Sequence, residues 1–185
     1  MTTDRQREAG EPGLVVWITG LPRSGKSTLA RALAARLRAR DPRCVLLDGD
    51  ALRPAIAEDL GYTIDERRRC GCRYARLATL LAGQGMHVVV ATVSMFEVIR
   101  RWNRAHAARY LEVYLRVEDR VRRARDRDGL YARANVVGGD LPYEEPAAAD
   151  VVVEDDGSLS ADAVAEQVWH AIAARLDRAP RTGVP

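Results

Sequence analysis

Short apolar runs alternate with longer segments of helical periodicity along the 185 residues of this chain. The runs are short enough to be buried strands, and they cover residues 14–19, 44–47, 88–92, 110–115 and 151–153. Between them, apolar residues recur at helical spacing, which predicts helices over residues 29–37, 52–60, 65–82, 96–108, 118–126 and 160–176. Pro54 is expected in the first turn of its helix, and Ser160 is expected to cap the last helix. Strands that alternate with helices predict an α/β fold, in which a five-stranded parallel sheet lies between two layers of helices.

The first predicted strand leads directly into a glycine-rich loop. Residues 20–27 read Gly-Leu-Pro-Arg-Ser-Gly-Lys-Ser and match G-x-x-x-x-G-K-[ST], the phosphate-binding P-loop. Lys26 is the single lysine among 29 lysine and arginine residues, and its compact ammonium suits a loop that wraps around phosphate oxygens. Lys26 is expected between the β- and γ-phosphates of ATP, and the Ser27 hydroxyl on Mg²⁺. The predicted ATP-binding residues are Gly20, Leu21, Pro22, Arg23, Ser24, Gly25, Lys26, Ser27 and Thr28.

Two carboxylates follow the second predicted strand. Asp48 and Asp50 flank Gly49, which lets the backbone turn so that both side chains can face the phosphates. One acid is expected to hold the water shell of the metal, and the other to accept the proton of an attacking hydroxyl. The third strand has no acid at its end, where motor ATPases and GTPases usually place one, so the pattern favours a small-molecule kinase. A structural turn in which Asp50 caps a helix is the alternative.

Composition and charge exclude several other classes of protein. The net charge of +3 is too balanced to indicate nucleic-acid binding, and no apolar run approaches the length of a membrane span. Without a secretory signal, Cys44, Cys70 and Cys72 are expected to be reduced thiols of a cytoplasmic protein. The spacing of cysteines and histidines indicates no metal site made of protein ligands alone.

Residues 13–177 are expected to form a single kinase domain, between a flexible N-terminal tail (residues 1–12) and a C-terminal tail (residues 178–185). Within the domain, residues 127–146 have weak periodicity and exceed an ordinary connection in length. Small kinases need a mobile lid that excludes water from the γ-phosphate, so this segment is interpreted as a lid, with a plain surface loop as the alternative. Arg67 opens the densest basic run, which is either a solvated helix face or a site for an anionic substrate.

Several motifs resemble the adenylylsulfate (APS) kinase family in order and spacing. Beyond the P-loop, they lie at residues 47–53, 59–62, 93–96, 111–114, 125–131 and 140–146. The similarity runs from about residue 14 to residue 153. Members of this family transfer the γ-phosphoryl group of MgATP to the ribose 3′-hydroxyl of adenosine 5′-phosphosulfate. The resemblance therefore implies a P-loop kinase fold, ATP and Mg²⁺ as cofactors, a nucleotide acceptor and a homodimer.

The resemblance also implies roles for individual residues. It places Asp50 at the acceptor hydroxyl and Asp48 near the metal, in addition to the catalytic Lys26. Arg53 and Arg67 would contact the phosphosulfate. The other residues that it places at the substrate or the nucleotide are Tyr62, which would stack on the adenine, Cys70, Val93, Ser94, Phe96, Tyr143 and, on the ATP side, Arg125.

Some positions depart from the family pattern. Cys70 replaces an asparagine, Glu97 an arginine and Asp128 a lysine, and the lid is shorter around residues 134–135. The charge changes lie beside an anionic substrate, so they favour a second hypothesis, a related kinase that phosphorylates another nucleotide or a metabolite. A regulatory nucleotide-binding domain without turnover is a third hypothesis, against which the intact Lys26 and Asp50 argue.

Overall fold

The computed structural model describes residues 11–177. Most of the predicted N-terminal tail, residues 1–10, and all of the C-terminal tail, residues 178–185, lie outside the described range. The strands are β1 (Val15–Thr19), β2 (Cys44–Asp48), β3 (His87–Ala91), β4 (Tyr110–Val117) and β5 (Val151–Asp155). The helices are α1 (Lys26–Arg40), α2 (Gly49–Ile56), α3 (Ile64–Gly83), α4 (Glu97–His106), α5 (Asp119–Ala124) and α6 (Ala161–Leu176), with a 3₁₀ turn at Leu130–Ala132.

The strands form one parallel sheet in the order β2-β3-β1-β4-β5. Successive residues of β1 point to opposite faces: Val16 and Ile18 pack with α1 and α6, whereas Val15 and Trp17 pack with α3 and α4. The sheet is therefore buried between two helical layers, and the predicted fold is confirmed. Its topology places the ends of β1, β2 and β3, and the loops that follow them, along one edge.

The start of α2 differs from the prediction. The helix begins at Gly49 and not near Leu52, because the Asp48 carboxylate accepts a hydrogen bond from the Asp50 N–H (3.0 Å) and caps the helix. Pro54 therefore lies inside the helix and not in its first turn. A proline there removes one helical hydrogen bond, and the helix ends two residues later. The alternative in which Asp50 is the cap is wrong, since Asp48 has that position.

Two other helix starts follow from their caps. Thr63 and Glu66 form a capping box that starts α3 at Ile64. Ser160 accepts a hydrogen bond from the Ala163 N–H (3.1 Å), which confirms its predicted cap. At most of the other element ends, the observed boundary differs from the predicted one by no more than two residues. The order of the elements is as predicted.

Aspartate side chains organise the segment interpreted as a lid, residues 127–146. Asp126 accepts hydrogen bonds from the Leu130 and Tyr131 N–H groups (3.0 and 2.9 Å), and Asp140 does the same for residues 135 and 136 (2.7 Å each). The Tyr131 hydroxyl donates to the Pro22 carbonyl of the P-loop (2.8 Å). The segment therefore lies against the loop that follows β1.

A fully buried arginine joins α4 to the end of this segment. Arg100 donates to the Glu97 carboxylate (2.6 and 3.0 Å) and to the carbonyl oxygens of Ser94 and Glu144, and it lies 3.4 Å from the Glu112 carboxylate. Removing one partner of a buried ion pair leaves an uncompensated charge, which costs more than losing an exposed pair. Arg100 is thus expected to be a main stabilising residue beneath the site.

We expect Arg100→Met to lower the free energy of unfolding by about 3–5 kcal/mol, because Glu112 would lose a close cation while remaining buried. Urea denaturation followed by circular dichroism measures the change. Arg101→Met is the matched control, since Arg101 is the exposed neighbour on the same helix, and its effect should stay within about 0.5 kcal/mol. Equal effects of the two substitutions would contradict the prediction.

Candidate active site

A cavity with a volume of about 610 Å³ opens at the edge of the sheet where β1, β2 and β3 end. Four segments contribute to its wall: the P-loop, the turn after β2, one face of α3 and residues 91–96. Residues 128, 130 and 135–137 of the lid segment also line it. The predicted site residues that line it are Pro22, Arg23, Gly25, Lys26, Ser27, Thr28, Asp48, Asp50, Arg53, Tyr62, Arg67, Cys70, Val93, Ser94 and Phe96.

The P-loop has the backbone conformation of a phosphate-binding turn. Gly25 adopts a φ of 92° immediately before α1, and the 15-residue helix begins at Lys26. The first N–H groups of a helix have no helical partners, so this end attracts anions. Gly20, with a φ of 151°, passes so close to the Leu115 carbonyl oxygen that a Cβ would lie 2.7 Å from it. Together with Leu21 and Ser24, Gly20 forms the back of the loop.

The Lys26 ammonium turns back onto its own loop. It donates to the Leu21 carbonyl oxygen (2.7 Å) and to the Ser24 hydroxyl (3.4 Å). Burial lowers the pKa of Lys26 to about 8, although the carboxylates of Asp50 and Asp48 act in the opposite direction. The charge of this side chain is therefore sensitive to pH in the neutral to alkaline range.

ATP affinity is expected to fall as the pH rises above about 8. The protonated ammonium is the form that attracts phosphate, and at pH 9 only about a tenth of a group with a pKa of 8 retains its proton. We expect the Kd for ATP to increase about ten-fold between pH 7 and pH 9, measured by isothermal titration calorimetry. Lys26→Arg should bind ATP more weakly but with little pH dependence, because a guanidinium remains charged; a parallel pH profile in this variant would contradict the assignment.

The two carboxylates after β2 have different roles in the fold. One Asp48 oxygen is committed to the Asp50 N–H as the cap of α2, while the Asp50 side chain is on an exposed residue in the first turn. Neither carboxylate forms an ion pair with another part of residues 11–177. Both line the cavity with Lys26 and Ser27. Asp50 is therefore available to a ligand, and Asp48 retains its second oxygen.

Two arginines form a positively charged corner of the cavity. Arg53 donates to the Leu60 carbonyl (3.1 Å), and Arg67 donates to the Tyr62 and Asn135 carbonyls (2.9 and 2.6 Å). Within residues 11–177, no carboxylate lies close enough to either guanidinium to form an ion pair. Burial lowers the pKa of Arg67, and the charge of Arg53 lowers it further. An anionic ligand would relieve the repulsion between these two cations.

The aromatic residues predicted for the substrate differ in position. Tyr62 is 58% exposed, and its ring centroid lies 3.9 Å from the Arg53 guanidinium. Phe96 is buried at the start of α4 with Arg68 over its ring (5.1 Å). Both rings line the cavity, so a planar group could contact them.

Five predicted site residues do not line the cavity: Gly20, Leu21 and Ser24 of the P-loop, and Tyr143 and Arg125. The predicted ligand contacts of Tyr143 and Arg125 have no support from the geometry. The Tyr143 hydroxyl lies 2.9 Å from the Thr19 hydroxyl, behind the sheet edge, and the ring packs against the core on the α3 side. Arg125 forms an ion pair with Asp155 (2.9 Å). Each of these two side chains is bound by a partner that is distant in the sequence.

Other residues contribute to the cavity without having been singled out from the sequence. Tyr74 and Gly71 come from α3, Ile99 from α4, and Asn135 and Val137 from the lid segment. Tyr74 and Gly71 follow Arg67 at spacings of seven and four residues, so helical periodicity places the three on one face. That spacing was the available signal for these two; the lid residues have no comparable signal.

Comparisons with known proteins decide the family. The family model described as adenylylsulphate kinase matches residues 12–154. The chain belongs to the adenylylsulphate kinase family. A relative from Paraburkholderia xenovorans named adenylyl-sulfate kinase is 40% identical and covers 78% of this chain and 84% of its own. A cytidine diphosphoramidate kinase from Campylobacter jejuni is 36% identical, with 76% of this chain and 85% of its own covered.

A solved member of the family has a closely similar structure. The Mycobacterium tuberculosis APS kinase CysC, in complex with AMPPNP and APS, is 31% identical and superposes with a TM-score of 0.81 over 88% of this chain and 99% of its own. The chain is therefore a kinase with the P-loop kinase fold. In residues 11–177, no helix is long and apolar enough to cross a membrane.

Two of the departures from the APS kinase family pattern are neutralised in the fold. The Glu97 carboxylate does not line the cavity and is bound by Arg100. Asp128 does line it, but its carboxylate accepts a hydrogen bond from Arg23 of the P-loop, which also binds Asp126 (3.1 Å). The charge presented to an acceptor has therefore changed less than the sequence suggests. Cys70 also lines the cavity, and no charged residue is introduced there.

Proposed function

We propose that this chain transfers the γ-phosphoryl group of ATP to the ribose 3′-hydroxyl of adenosine 5′-phosphosulfate. The observation that carries the proposal is one cavity that combines a P-loop, an available carboxylate and two arginines without acidic partners among residues 11–177. These features suit a phosphate donor, an alcohol and an anionic group on the acceptor, in that order. The similarity to a family member solved with AMPPNP and APS supports the same assignment.

The donor half would hold ATP through the P-loop N–H groups and Lys26. On binding, the ammonium would exchange the Leu21 carbonyl for phosphate oxygens, which offer full negative charges in place of a dipole. Asp48, Asp50 and Ser27 all present oxygen atoms to the cavity and fit Mg²⁺, which prefers oxygen ligands. Residues 11–177 contain no group of three or more His, Cys, Asp or Glu side chains that could hold a metal ion, so phosphate oxygens of ATP and water would complete the coordination of the ion. The ion would neutralise charge on the phosphates.

The acceptor half would place an alcohol against Asp50. In this role the carboxylate accepts the proton of the attacking hydroxyl, while Arg53 and Arg67 bind the phosphosulfate through charge-assisted hydrogen bonds. Tyr62 and Phe96 supply aromatic surface for the adenine. The lid segment reaches this half through the hydrogen bond from Arg67 to the Asn135 carbonyl.

The direct test is to incubate the protein with MgATP and APS, follow ADP release and identify the product by mass spectrometry. Formation of 3′-phosphorylated APS supports the proposal. ADP release only with another acceptor, tested with AMP, ADP, CDP and their phosphoramidates, would replace APS by that acceptor. ATP binding without acceptor-dependent release would point to a regulatory domain.

Arg67 is expected to control acceptor affinity. Arg67→Met removes one of two cations at the proposed phosphosulfate site, so the KM for APS should rise at least about ten-fold while the KM for ATP stays within two-fold. Steady-state kinetics with each substrate varied in turn measures both. The control is Arg69→Met, an exposed residue in the same basic run that does not line the cavity. A similar increase in the control would mean that general surface charge, and not this site, attracts APS.

We also propose that residues 13–177 act as one kinase domain with residues 127–146 as a moving lid, and that the chain works as a cytoplasmic homodimer. The free thiols at Cys44, Cys70 and Cys72 support a reducing compartment. Light scattering coupled to size-exclusion chromatography tests the dimer.

A further inference from the structure

Tyr74 forms part of the floor of the cavity. It lies on α3 one turn after Cys70 and two turns after Arg67, and all three residues line the cavity. The residue is only 4% exposed, and its ring packs in the core between the sheet and α3. The side chain is therefore held by packing and presents a fixed hydroxyl.

That hydroxyl reaches the turn that carries the two aspartates. It donates to the Gly49 carbonyl oxygen at 3.1 Å, the peptide oxygen between Asp48 and Asp50. Burial raises the pKa of the Tyr74 phenol, and the neighbouring Cys70 thiol raises it further. The hydroxyl thus keeps its proton at physiological pH and remains a donor.

The opposite side of the turn is restrained by β3. A Cβ atom at Gly49 would lie 3.2 Å from the Ala91 carbonyl oxygen and 3.3 Å from the Thr92 hydroxyl. The backbone therefore has little room to move toward the strand. The Tyr74 hydrogen bond restrains it from the side of α3, and the Asp48 carboxylate restrains the Asp50 N–H.

We infer that Tyr74 is a positioning residue that fixes the backbone from which Asp50 approaches the acceptor hydroxyl. The inference rests on the proposed function, because it takes Asp50 as the group that meets that hydroxyl. A small displacement of a reacting group has a large kinetic effect. Loss of this hydrogen bond should therefore reduce turnover and leave ATP binding unchanged.

The kinetic test compares Tyr74→Phe with Tyr110→Phe. Tyr110 is an equally buried tyrosine whose hydroxyl donates to Glu112 (3.2 Å) away from the cavity. We expect kcat of Tyr74→Phe to fall about ten-fold with the KM for ATP unchanged, and kcat of Tyr110→Phe to stay within two-fold of the wild type. A kcat for Tyr74→Phe within two-fold of the wild type would overturn the inference.

A double substitution tests whether Tyr74 acts through Asp50. In an Asp50→Asn background the correctly positioned carboxylate no longer exists, so adding Tyr74→Phe should cause no further loss of kcat. A second ten-fold loss in that background would show that Tyr74 acts on another group, and the inference would fail.

Hydrogen exchange supplies a readout that needs no acceptor. The Asp50 amide is protected by the Asp48 carboxylate, and its exchange should accelerate in Tyr74→Phe but not in Tyr110→Phe. If wild type fails to phosphorylate APS but this difference is present, the proposed acceptor is wrong and the positioning of the turn by Tyr74 is upheld. Unchanged Asp50 exchange in Tyr74→Phe would overturn the inference even in an active enzyme.

Discussion

Replacing Lys26 by methionine is expected to reduce kcat/KM for phosphoryl transfer by about 10³-fold or more, the loss typical of a preorganised charge that faces the transition state. Methionine has a similar length but no charge, so it cannot balance the negative charge of the phosphates. The Lys26 ammonium lies among the loop carbonyl, Asp48 and Asp50, and no other lysine exists in the chain. The arginine of the P-loop cannot replace it, because Arg23 is bound by Asp126 and Asp128.

The same substitution should not weaken the fold. Because burial lowers the pKa of Lys26 from 10.5 to about 8, the unfolded chain binds more protons than the folded one between these values. The protonated lysine therefore costs stability at pH 7, by up to about 3 kcal/mol, and Lys26→Met should unfold at an equal or higher urea concentration. Arg31→Met, on an exposed position of α1 outside the cavity, is the control for both measurements. An active Lys26→Met enzyme would remove the ammonium from the mechanism.

Asp50→Asn is expected to lower kcat by about 10²–10⁴-fold, the usual contribution of a positioned general base. The amide has the same shape but cannot accept the proton of the acceptor. The Kd for ATP should stay within a few-fold, because the P-loop does not depend on this side chain, and calorimetry and steady-state kinetics separate the two effects.

The matched control for Asp50 is Asp65→Asn. Asp65 has the corresponding position in the first turn of α3 but lies outside the cavity. Its substitution should leave kcat unchanged, which excludes a general effect of losing an acid near a helix start. Wild-type turnover in Asp50→Asn would mean that Asp48 or water, and not Asp50, acts as the general base.

Local patterns in the sequence were sufficient to predict the strands and loops that carry the site. The run of residues 14–19, the P-loop and the acids after β2 each follow from neighbours a few positions away, and the strand order brings them to one edge. The start of α2 was missed because Asp48 and Asp50 are both suitable N-cap residues. The backbone conformation around Gly49 decides which of the two caps the helix.

Side-chain partners that local patterns do not reveal account for the remaining differences between the sequence analysis and the fold. Tyr143 was placed in the cavity, but its hydroxyl is bound near Thr19, 124 positions away. Asp128 does line the cavity, but Arg23, which is 105 positions away, binds its carboxylate. Glu97 lies outside the cavity and is bound by Arg100, one turn further along α4. Tyr74 was overlooked because helical periodicity predicts which residues of α3 face inward. It does not predict which of these residues line the cavity and which lie in the core.

The bond between Arg23 and Asp128 couples two positions that are 105 residues apart. A lysine at position 128 would stand beside Arg23 and replace this attraction by a repulsion. The effect of a substitution at position 128 therefore depends on the residue at position 23, which is epistasis, although Arg23 keeps Asp126 as a second partner. An acid at position 128 can thus serve the P-loop arginine and is not by itself the sign of a new substrate.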